Sequence, residues 1–486
     1  MPAAVAETHI SVLFFVGDRA YKLKKPVAMG FLDFSSRERR EAACRREVEL
    51  NRRLAPDVYL GVADVTGPDG TACDHLVVMR RLPDERRLAS LVRGHQPVEE
   101  PLWQLAHLIA AFHASAETSD AIAEAGTRDA VLANWDNNFE QMRPFVGSVL
   151  DVAKSAYVEE LVHRYLAGRA PLFEERIAAG RIVDGHGDLQ AEDVFCMDDG
   201  PRVLDCIEFD DRLRHGDVLA DVAFLAMDLE RLGAREHASR FLALYRELSG
   251  ETHPASLAHH YVAYRAHVRS KVACLRHDQG DPEAAAEAAR LLDIALRHLE
   301  RGRVVLTLVG GLPGTGKSTL AAGLADSKGW AVLRSDEVRK DLSGGAHEAD
   351  AGAPFGEGIY RPERTEATYR ELLHRTHSAL ARGEPVVLDA SWTDGRWRAA
   401  ARQVADETVS DFVELRCTAP AAVAAERITR RAAQGNDASD ATPEVAAMMR
   451  AVADPWPSAV AIDTSGPVAR SLELALVAHD AVTAPG

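Results

Sequence analysis

The sequence predicts an α+β unit over its first 301 residues, followed from residue 302 by an α/β unit with a parallel sheet and helices on both faces. Three observations predict this. Two apolar runs flank a Gly-Asp pair near the start, and long helical stretches follow them. From Val304 onward, five short apolar runs alternate with helical segments, the pattern of a parallel sheet covered on both faces. Between the first of those runs and its helix lies GGLPGTGKST, a glycine-rich loop in the setting that binds phosphate.

In chain order, ISVLFFV (10–16), GD and RAYKLKKPV read as a β-hairpin. A helix is expected over 35–54, opened by the capping box Ser35-x-x-Glu38 and ended before Pro56. CDHLVVMRRLP (73–83) reads as a strand closed by its proline, and 98–182 as helical. The loop HGDLQAEDVF (186–195) precedes the apolar run RVLDCIEF (202–209), with helices over 216–301. The Ala- and Leu-rich stretch 280–303 predicts a helix that joins the two units semi-rigidly. The boundaries are an N-lobe at 1–84, a helical C-lobe at 85–301 and a third region at 302–486. The later strands are 304–310, 331–335, 385–391, 411–417 and 459–463, and Ser343–Pro362 reads as a long, mobile loop.

Charge and cysteine usage narrow the partners. With 74 acidic against 57 basic residues the net charge is −17, which disfavours duplex nucleic acid and anionic membranes. A small phosphorylated ligand in a local basic pocket remains compatible, so a small-molecule substrate is expected. The oligomeric state is not legible. Cys44, Cys73, Cys196, Cys206, Cys274 and Cys417 show no metal-finger spacing and read as reduced, buried hydrophobes. No apolar stretch approaches about 18 residues, the length of a membrane span. With no basic leader at the start, a cytoplasmic location is expected.

Gly311-Leu-Pro313-Gly314-Thr315-Gly316-Lys317-Ser318, followed by Thr319, fits GxxxxGK[ST] in full. Its backbone N–H groups and the following helix N-terminus cradle the phosphates of ATP. Lys317 reaches the β and γ oxygens, and Ser318 can ligate Mg²⁺. Asp336, in Arg334-Ser335-Asp336, sits where a strand's C-terminal end faces the ligand crevice, a place for a general base. The alternative is a helix N-cap. With Arg339, this segment resembles the SD-x-x-R element of small P-loop kinases such as gluconate kinase, polynucleotide kinase, zeta toxins and chloramphenicol phosphotransferase. The resemblance implies Asp336 as base and Arg339 as holder of acceptor or phosphate. Asp389, ending PVVLD, fits a Walker-B-like strand that orders Mg²⁺. Arg427, Arg430 and Arg431, on AAERITRRAA, look like the lid of these kinases; the alternative is a solvated basic face. DTSGP (463–467) lines the adenine pocket or forms a simple turn.

HGDLQAEDVF has the form H-x-D-x-x-x-x-[N/D], and LDCIEF follows. This order resembles the aminoglycoside phosphotransferase family, which shares the protein-kinase fold. The resemblance implies Asp188 as the catalytic carboxylate, Asp193 in the Mg²⁺-binding Asn slot and Asp205 as the metal carboxylate. Asp217 and Asp221 match the element that braces the loop. In Ala20-Tyr21-Lys22 the strand alternation places Ala and Lys on one face, as a phosphate-binding lysine requires, with Lys24 the fallback. Glu47 shares a helix face with Ala43, Leu50 and Leu54 and is the candidate partner of that lysine. VVMRRLP (77–83) has the place of the hinge, with Met79 and Arg80 holding adenine through their backbone. No GxGxxG loop precedes the lysine strand. A carboxylate at 193 is still a hard oxygen ligand, but it cannot donate the N–H bond of an amide and adds charge beside two other carboxylates.

Over nearly the whole chain, ETHIS, YKLKKP, LNRRLAP and DCIEFDDRLRHGDVLADVAFLAMDL resemble a bacterial fusion family. That family joins an aminoglycoside-phosphotransferase-like domain to a gluconate-kinase-like P-loop domain. The resemblance implies a bilobal kinase-like domain, then a P-loop kinase domain, each binding ATP and Mg²⁺ and transferring phosphate to a hydroxyl of a small metabolite. The alternatives are a regulatory pseudokinase in the first half, or an ATPase switch with no phosphoryl acceptor.

Overall fold

The first apolar runs build an antiparallel sheet in the computed structural model, which describes residues 4–8, 10–29, 32–342, 361–434 and 442–483. Its strands are β1 (Ala4–Glu7), β2 (Ser11–Val16), β3 (Arg19–Lys24), β4 (Tyr59–Thr66) and β5 (Ala72–Arg80), in the spatial order β1-β2-β3-β5-β4. The expected hairpin is β2–β3, with Phe14 opposite Tyr21. Along β3 the buried residues alternate as Ala20, Lys22 and Lys24, so both candidate lysines share the covered face. The strand β4 is not among the expected elements, because YLGVADVT offers too few large apolar residues to stand out.

The helix Arg37–Asn51 lies against β4 and β5, and its Cys44 and Val48 join a core with Ala20, Val58, Tyr59, Val77, Met79 and Phe195. Its cap corrects the expectation by one residue. Ser36, in extended backbone, accepts from the Arg39 N–H at 3.3 Å, whereas the Ser35 hydroxyl donates to Asp33 at 2.6 Å.

The helices then follow as expected, including Glu99–Ser115, Val218–Arg231, Arg235–Ser249, Ala255–Asp278 and Ala284–Arg301. Two short antiparallel ribbons, Ile182–Asp184 with His215–Asp217 and Val194–Met197 with Gly200–Val203, frame the loop at 186–193. The expected run 202–209 is a strand only as far as Val203.

The second sheet is wholly parallel: β6 (Val305–Gly310), β7 (Ala331–Arg334), β8 (Val386–Asp389), β9 (Asp411–Thr418) and β10 (Val460–Asp463), ordered β7-β8-β6-β9-β10. Every residue of β6 and β8 is buried. Since successive side chains point to opposite faces, both faces of the sheet centre are covered. On one side Val305, Val309, Val413 and Leu415 pack with Leu320 and Leu324 of the helix Lys317–Lys328 and Ala475 of Val468–Thr483. The order places β6 centrally, so the loop after it opens at the C-terminal edge of the sheet.

By contacts the chain divides into Met1–Val162, Phe173–His253 and Leu257–Gly302 on one hand, and His163–Leu172, Pro254–Ser256 and Arg303–Gly486 on the other. The loop expected over 343–362 lies, up to 360, outside the described residues, and Pro362 opens the helix Pro362–Ala381. Of the six cysteines, all free, only Cys73 is exposed. Among the described residues no helix is long and apolar enough to cross a membrane.

Candidate active sites

Glu47 is fully buried and carries both lysines of β3. Lys22 Nζ donates to Oε1 at 2.9 Å, and Lys24 Nζ donates to Oε2 at 2.7 Å. The two lysines read as alternatives in the sequence are therefore used together. Each also reaches across to the segment after Val203: Lys22 to Asp205 Oδ1 at 2.6 Å, and Lys24 to Glu208. Burial alone would lower the pKa of Lys22, but Asp205, Glu47 and Glu208 outweigh it and hold the ammonium well above its usual range. Burial likewise pushes Glu47 up, and Lys22 with Lys24 brings it below the usual carboxylate range. Glu208, which sequence reasoning missed, is held above its usual range by burial despite Lys24.

Truncating Glu47 leaves two buried ammonium groups without their shared partner. Glu47→Ala is expected to cost about 3–5 kcal/mol of unfolding free energy by urea titration. A loss below about 1 kcal/mol would contradict the pairing.

Asn51, one turn beyond Glu47, docks the metal-candidate segment. Its amide N–H donates to the Glu47 carbonyl, and its Oδ1 accepts from the Cys206 N–H, both at 2.9 Å. Asp205 lies in left-handed backbone at φ 64°, and its N–H donates to the Tyr59 hydroxyl oxygen at 3.2 Å. The loop at 186–193 is clamped from the helix Val218–Arg231. Asp221 accepts from the N–H groups of His186 at 2.6 Å and Gly187 at 2.9 Å, and Asp228 accepts from the Ala191 N–H at 2.9 Å. Gly187 has φ 86°, and a Cβ there would meet the Leu213 carbonyl oxygen at 2.8 Å, so glycine is required. His186 Nε2 lies 3.1 Å from the Leu204 carbonyl, which fixes its N–H on that nitrogen and leaves Nδ1 to accept from the Asp188 N–H at 3.3 Å. Burial lowers the His186 pKa, which suits this neutral form. Asp217 has a purely structural setting: it holds Arg176 through two bonds and caps the helix at Leu219.

Asp188, Asp193 and Asp205 act on one another electrostatically. Burial pushes the Asp188 pKa up to about 6, with Arg269 and Arg265 opposing and Asp205 adding. Burial, then Asp205 and Asp188, drives Asp193 well above the usual carboxylate range, whereas Lys22 holds Asp205 below it. Among the described residues no three His, Cys, Asp or Glu side chains are arranged to enclose a metal ion. Asp193 and Asp205 instead offer two hard-oxygen donors, and the Asp205 carboxylate is half-exposed. That donor set fits Mg²⁺, which is commonly held by one or two carboxylates together with nucleotide phosphates. If Asp188 serves as base, its raised pKa keeps it protonated further up the pH scale. The first-site kcat/KM should therefore fall as pH drops through about 6 rather than through about 4, measured with the second site disabled. A flat profile from pH 5 to 8 would contradict that role.

The hinge expectation needs correction. β5 is paired on both sides, so Met79 lies in the ladder between Ala20 and Tyr59. The Arg80 N–H donates to Val58 and the Arg81 N–H to Asp18, both at 2.9 Å. The sheet thus takes up the backbone expected to hold adenine at Met79 and Arg80, and the segment past the ladder begins at Leu82.

In the second unit, Gly316 opens the helix Lys317–Lys328 from left-handed backbone at φ 82°, with no side-chain cap. The first-turn N–H groups are left for a ligand, the arrangement that favours phosphate. Gly314 has φ 80°, and a Cβ there would sit 2.4 Å from the Ala424 carbonyl oxygen, so the loop needs glycine. Gly311, Pro313, Thr315 and Lys317 are buried, Ser318 is half-buried and Thr319 exposed. Asp389 stands beside Val309 in the sheet register. Its Oδ2 accepts from Arg334 Nε at 3.3 Å, while Oδ1 is buried and unpartnered. An orphaned carboxylate oxygen at this strand end fits a metal-bound water or Mg²⁺.

Asp336 is the second residue of the helix Ser335–Leu342, so it is not the N-cap. Arg339 Nη1 donates to its Oδ1 at 2.8 Å, which brings the two expected residues together on one helix turn. The three lid arginines separate. Arg427 Nη2 donates to the Thr464 carbonyl at 2.7 Å, and its Nη1 lies 3.6 Å from where a Gly316 Cβ would be. Arg431 is half-buried and Arg430 exposed, and the polar stretch beyond them, 435–441, lies outside the described residues. Thr464, in DTSGP, donates its hydroxyl to the Thr315 carbonyl, which places that segment against the phosphate loop.

Residues 306–456 match the AAA domain family. Among solved structures, the chain is similar to a choline/ethanolamine kinase family protein from Mesorhizobium loti, at 14% identity over 62% of this chain and 92% of that chain, with a TM-score of 0.39. It is also similar to an aminoglycoside 2'-phosphotransferase-IIIa, at 16% over 61% and 93%, with a TM-score of 0.38. A third is a gluconokinase from Sinorhizobium meliloti, at 20% over 37% and 95%, with a TM-score of 0.25. At these scores the likenesses decide nothing about activity. The sequence relatives are much nearer: the uncharacterized proteins Rv2004c of Mycobacterium tuberculosis and Mb2027c of Mycobacterium bovis are each 46% identical over 474 residues, 96% of this chain and 93% of theirs. With that identity along almost its whole length, the chain belongs to the same family as these mycobacterial proteins.

Proposed function

We propose that the protein is an ATP-dependent phosphotransferase with two nucleotide sites, each passing the γ-phosphoryl group to a hydroxyl of a small metabolite. One observation carries this reading. A single chain holds two separate clusters, each with a buried lysine and at least one carboxylate suited to a phosphate and its metal. One is Lys22 on Glu47 beside Asp188, Asp193 and Asp205; the other is Lys317 in an uncapped glycine loop beside Asp389. In the first, Lys22 steers the phosphates, Asp193 and Asp205 hold Mg²⁺, and Asp188 orients the acceptor hydroxyl and takes its proton. In the second, the loop N–H groups and Lys317 hold the phosphates, Ser318 and Asp389 hold Mg²⁺, Asp336 is the base, and Arg427 and Arg339 screen the transferred charge. Mg²⁺, when bound, neutralises phosphate charge at either place.

The experiment is a screen of sugars, polyols, nucleosides and aminocyclitols with Mg²⁺ and ATP, read by mass spectrometry for added phosphate. It is repeated on Lys22→Ala, Asp188→Ala, Lys317→Ala and Asp336→Ala. Distinct products should be lost with each half. If Asp188→Ala leaves every product intact while Lys317→Ala removes all, the first unit is a regulatory pseudokinase. ATP hydrolysis with no phosphorylated product would make the protein an ATPase switch.

A further inference from the structure

In a chain of net charge −17, the segment from Ala255 through His277 contains no aspartate or glutamate, yet it carries Arg265, Arg269, Lys271 and Arg276. Arg265 and Arg269 are four residues apart on this helix and so share a face. Arg265 is anchored beside the loop that carries Asp188. Its Nε donates to the Ala220 carbonyl at 3.1 Å, its guanidinium lies 4.7 Å from the centre of the Phe224 ring, and Nη2 is 4.0 Å from Asp221 Oδ1. The same Asp221 carboxylate clamps the N–H groups of His186 and Gly187, immediately before Asp188. Arg269 is half-buried, and among the described residues no carboxylate lies within ion-pair distance of it. Its charge and that of Arg265 both fall on Asp188. A partly exposed guanidinium beside Asp188 that makes no ion pair among the described residues keeps N–H donors for an incoming anion.

We propose that Arg269, supported by Arg265, forms an anion-binding subsite beside Asp188, so that the first-site acceptor is a hydroxyl compound bearing a phosphate or carboxylate group. This rests on the phosphotransferase reading of the first site and narrows its substrate class. A polycationic acceptor, an amino sugar or aminocyclitol, would bring like charge to the arginines. In the reaction the bond between the γ-phosphorus and its bridging oxygen breaks, and ADP leaves with the electron pair. A new P–O bond forms to the acceptor hydroxyl, whose proton goes to Asp188. Arg269 touches only the acceptor's anionic group and is a specificity-determining residue.

The test uses the full chain with Lys317→Ala, so that the second nucleotide site is silent. Glucose, glucosamine, glucose 6-phosphate and gluconate are titrated calorimetrically in the presence of Mg²⁺ and a non-hydrolysable ATP analogue, and product is followed in parallel by mass spectrometry with ATP. At least one of the two anionic sugars should bind roughly tenfold or more tighter than glucose, with glucosamine weakest, and which of the two binds names the anion. Adding Arg269→Ala should erase that preference without changing nucleotide affinity, and Arg269→Lys should restore part of it. The inference is overturned if glucose or glucosamine binds as tightly as both anions, if neither anion binds, or if Arg269→Ala keeps the preference. An anion preference that depends on Arg269 but comes with no phosphorylated product would defeat the transfer reading and leave the subsite standing.

Discussion

Asp188→Ala is expected to lower first-site turnover by about 10³-fold while leaving nucleotide affinity within a few-fold of the parent. The backbone bonds that hold the loop to Asp221, Asp228 and His186 do not use the Asp188 carboxylate, whose side-chain partner is Gln190 of the same loop. The substitution therefore removes the carboxylate without releasing the loop. Lys22, Glu47 and Asp205 remain in place to hold phosphate and metal. Measured in the Lys317→Ala background by product formation and by nucleotide titration, the defect should fall on kcat. A comparable loss of nucleotide affinity would show that Asp188 supports the site's structure instead.

Lys317→Ala should remove nucleotide binding at the second site while the rest of the chain stays folded. The lysine is the first residue of a helix whose N-terminus has no side-chain cap. Its ammonium and the adjacent N–H groups address the same anion. Each charge-assisted hydrogen bond lost costs about 1.5–3 kcal/mol, and the loss of two gives a weakening on the order of 10²–10⁴-fold. Thermal stabilisation by Mg²⁺ and ATP is the convenient measure. The part of the shift that survives Lys317→Ala should vanish with Lys22→Ala.

Local chemistry made much of this legible before the fold was seen. The glycine loop, its lysine and the strand before it are contiguous, so spacing alone places them. Asp221 was readable through the resemblance, because HGDVLADVAFL matches the element that braces the loop. What escaped depends on pairing across long separations. Lys24 and Glu208 are 184 residues apart, and nothing in DCIEFDD marks Glu208 over its acidic neighbours until β3 and that segment are brought together. The reading of Lys22 against Lys24 as a choice failed for a related reason: one strand face carries both, and Glu47 has an oxygen for each. The expectation at Met79 and Arg80 missed β4, which pairs with Met79, and Val58 just before it, whose carbonyl takes the Arg80 N–H. The cap expected at Ser35 moved to Ser36 because the Asp33 carboxylate takes up the Ser35 hydroxyl.

The central claim is that one chain holds two nucleotides at separate sites. It is tested most directly by equilibrium titration of the intact protein with a non-hydrolysable ATP analogue and Mg²⁺, counting bound nucleotide per chain. The account predicts two for the parent, one for Lys22→Ala, one for Lys317→Ala and none for the double variant. A parent that binds a single nucleotide, lost with Lys317→Ala and indifferent to Lys22→Ala, would contradict it.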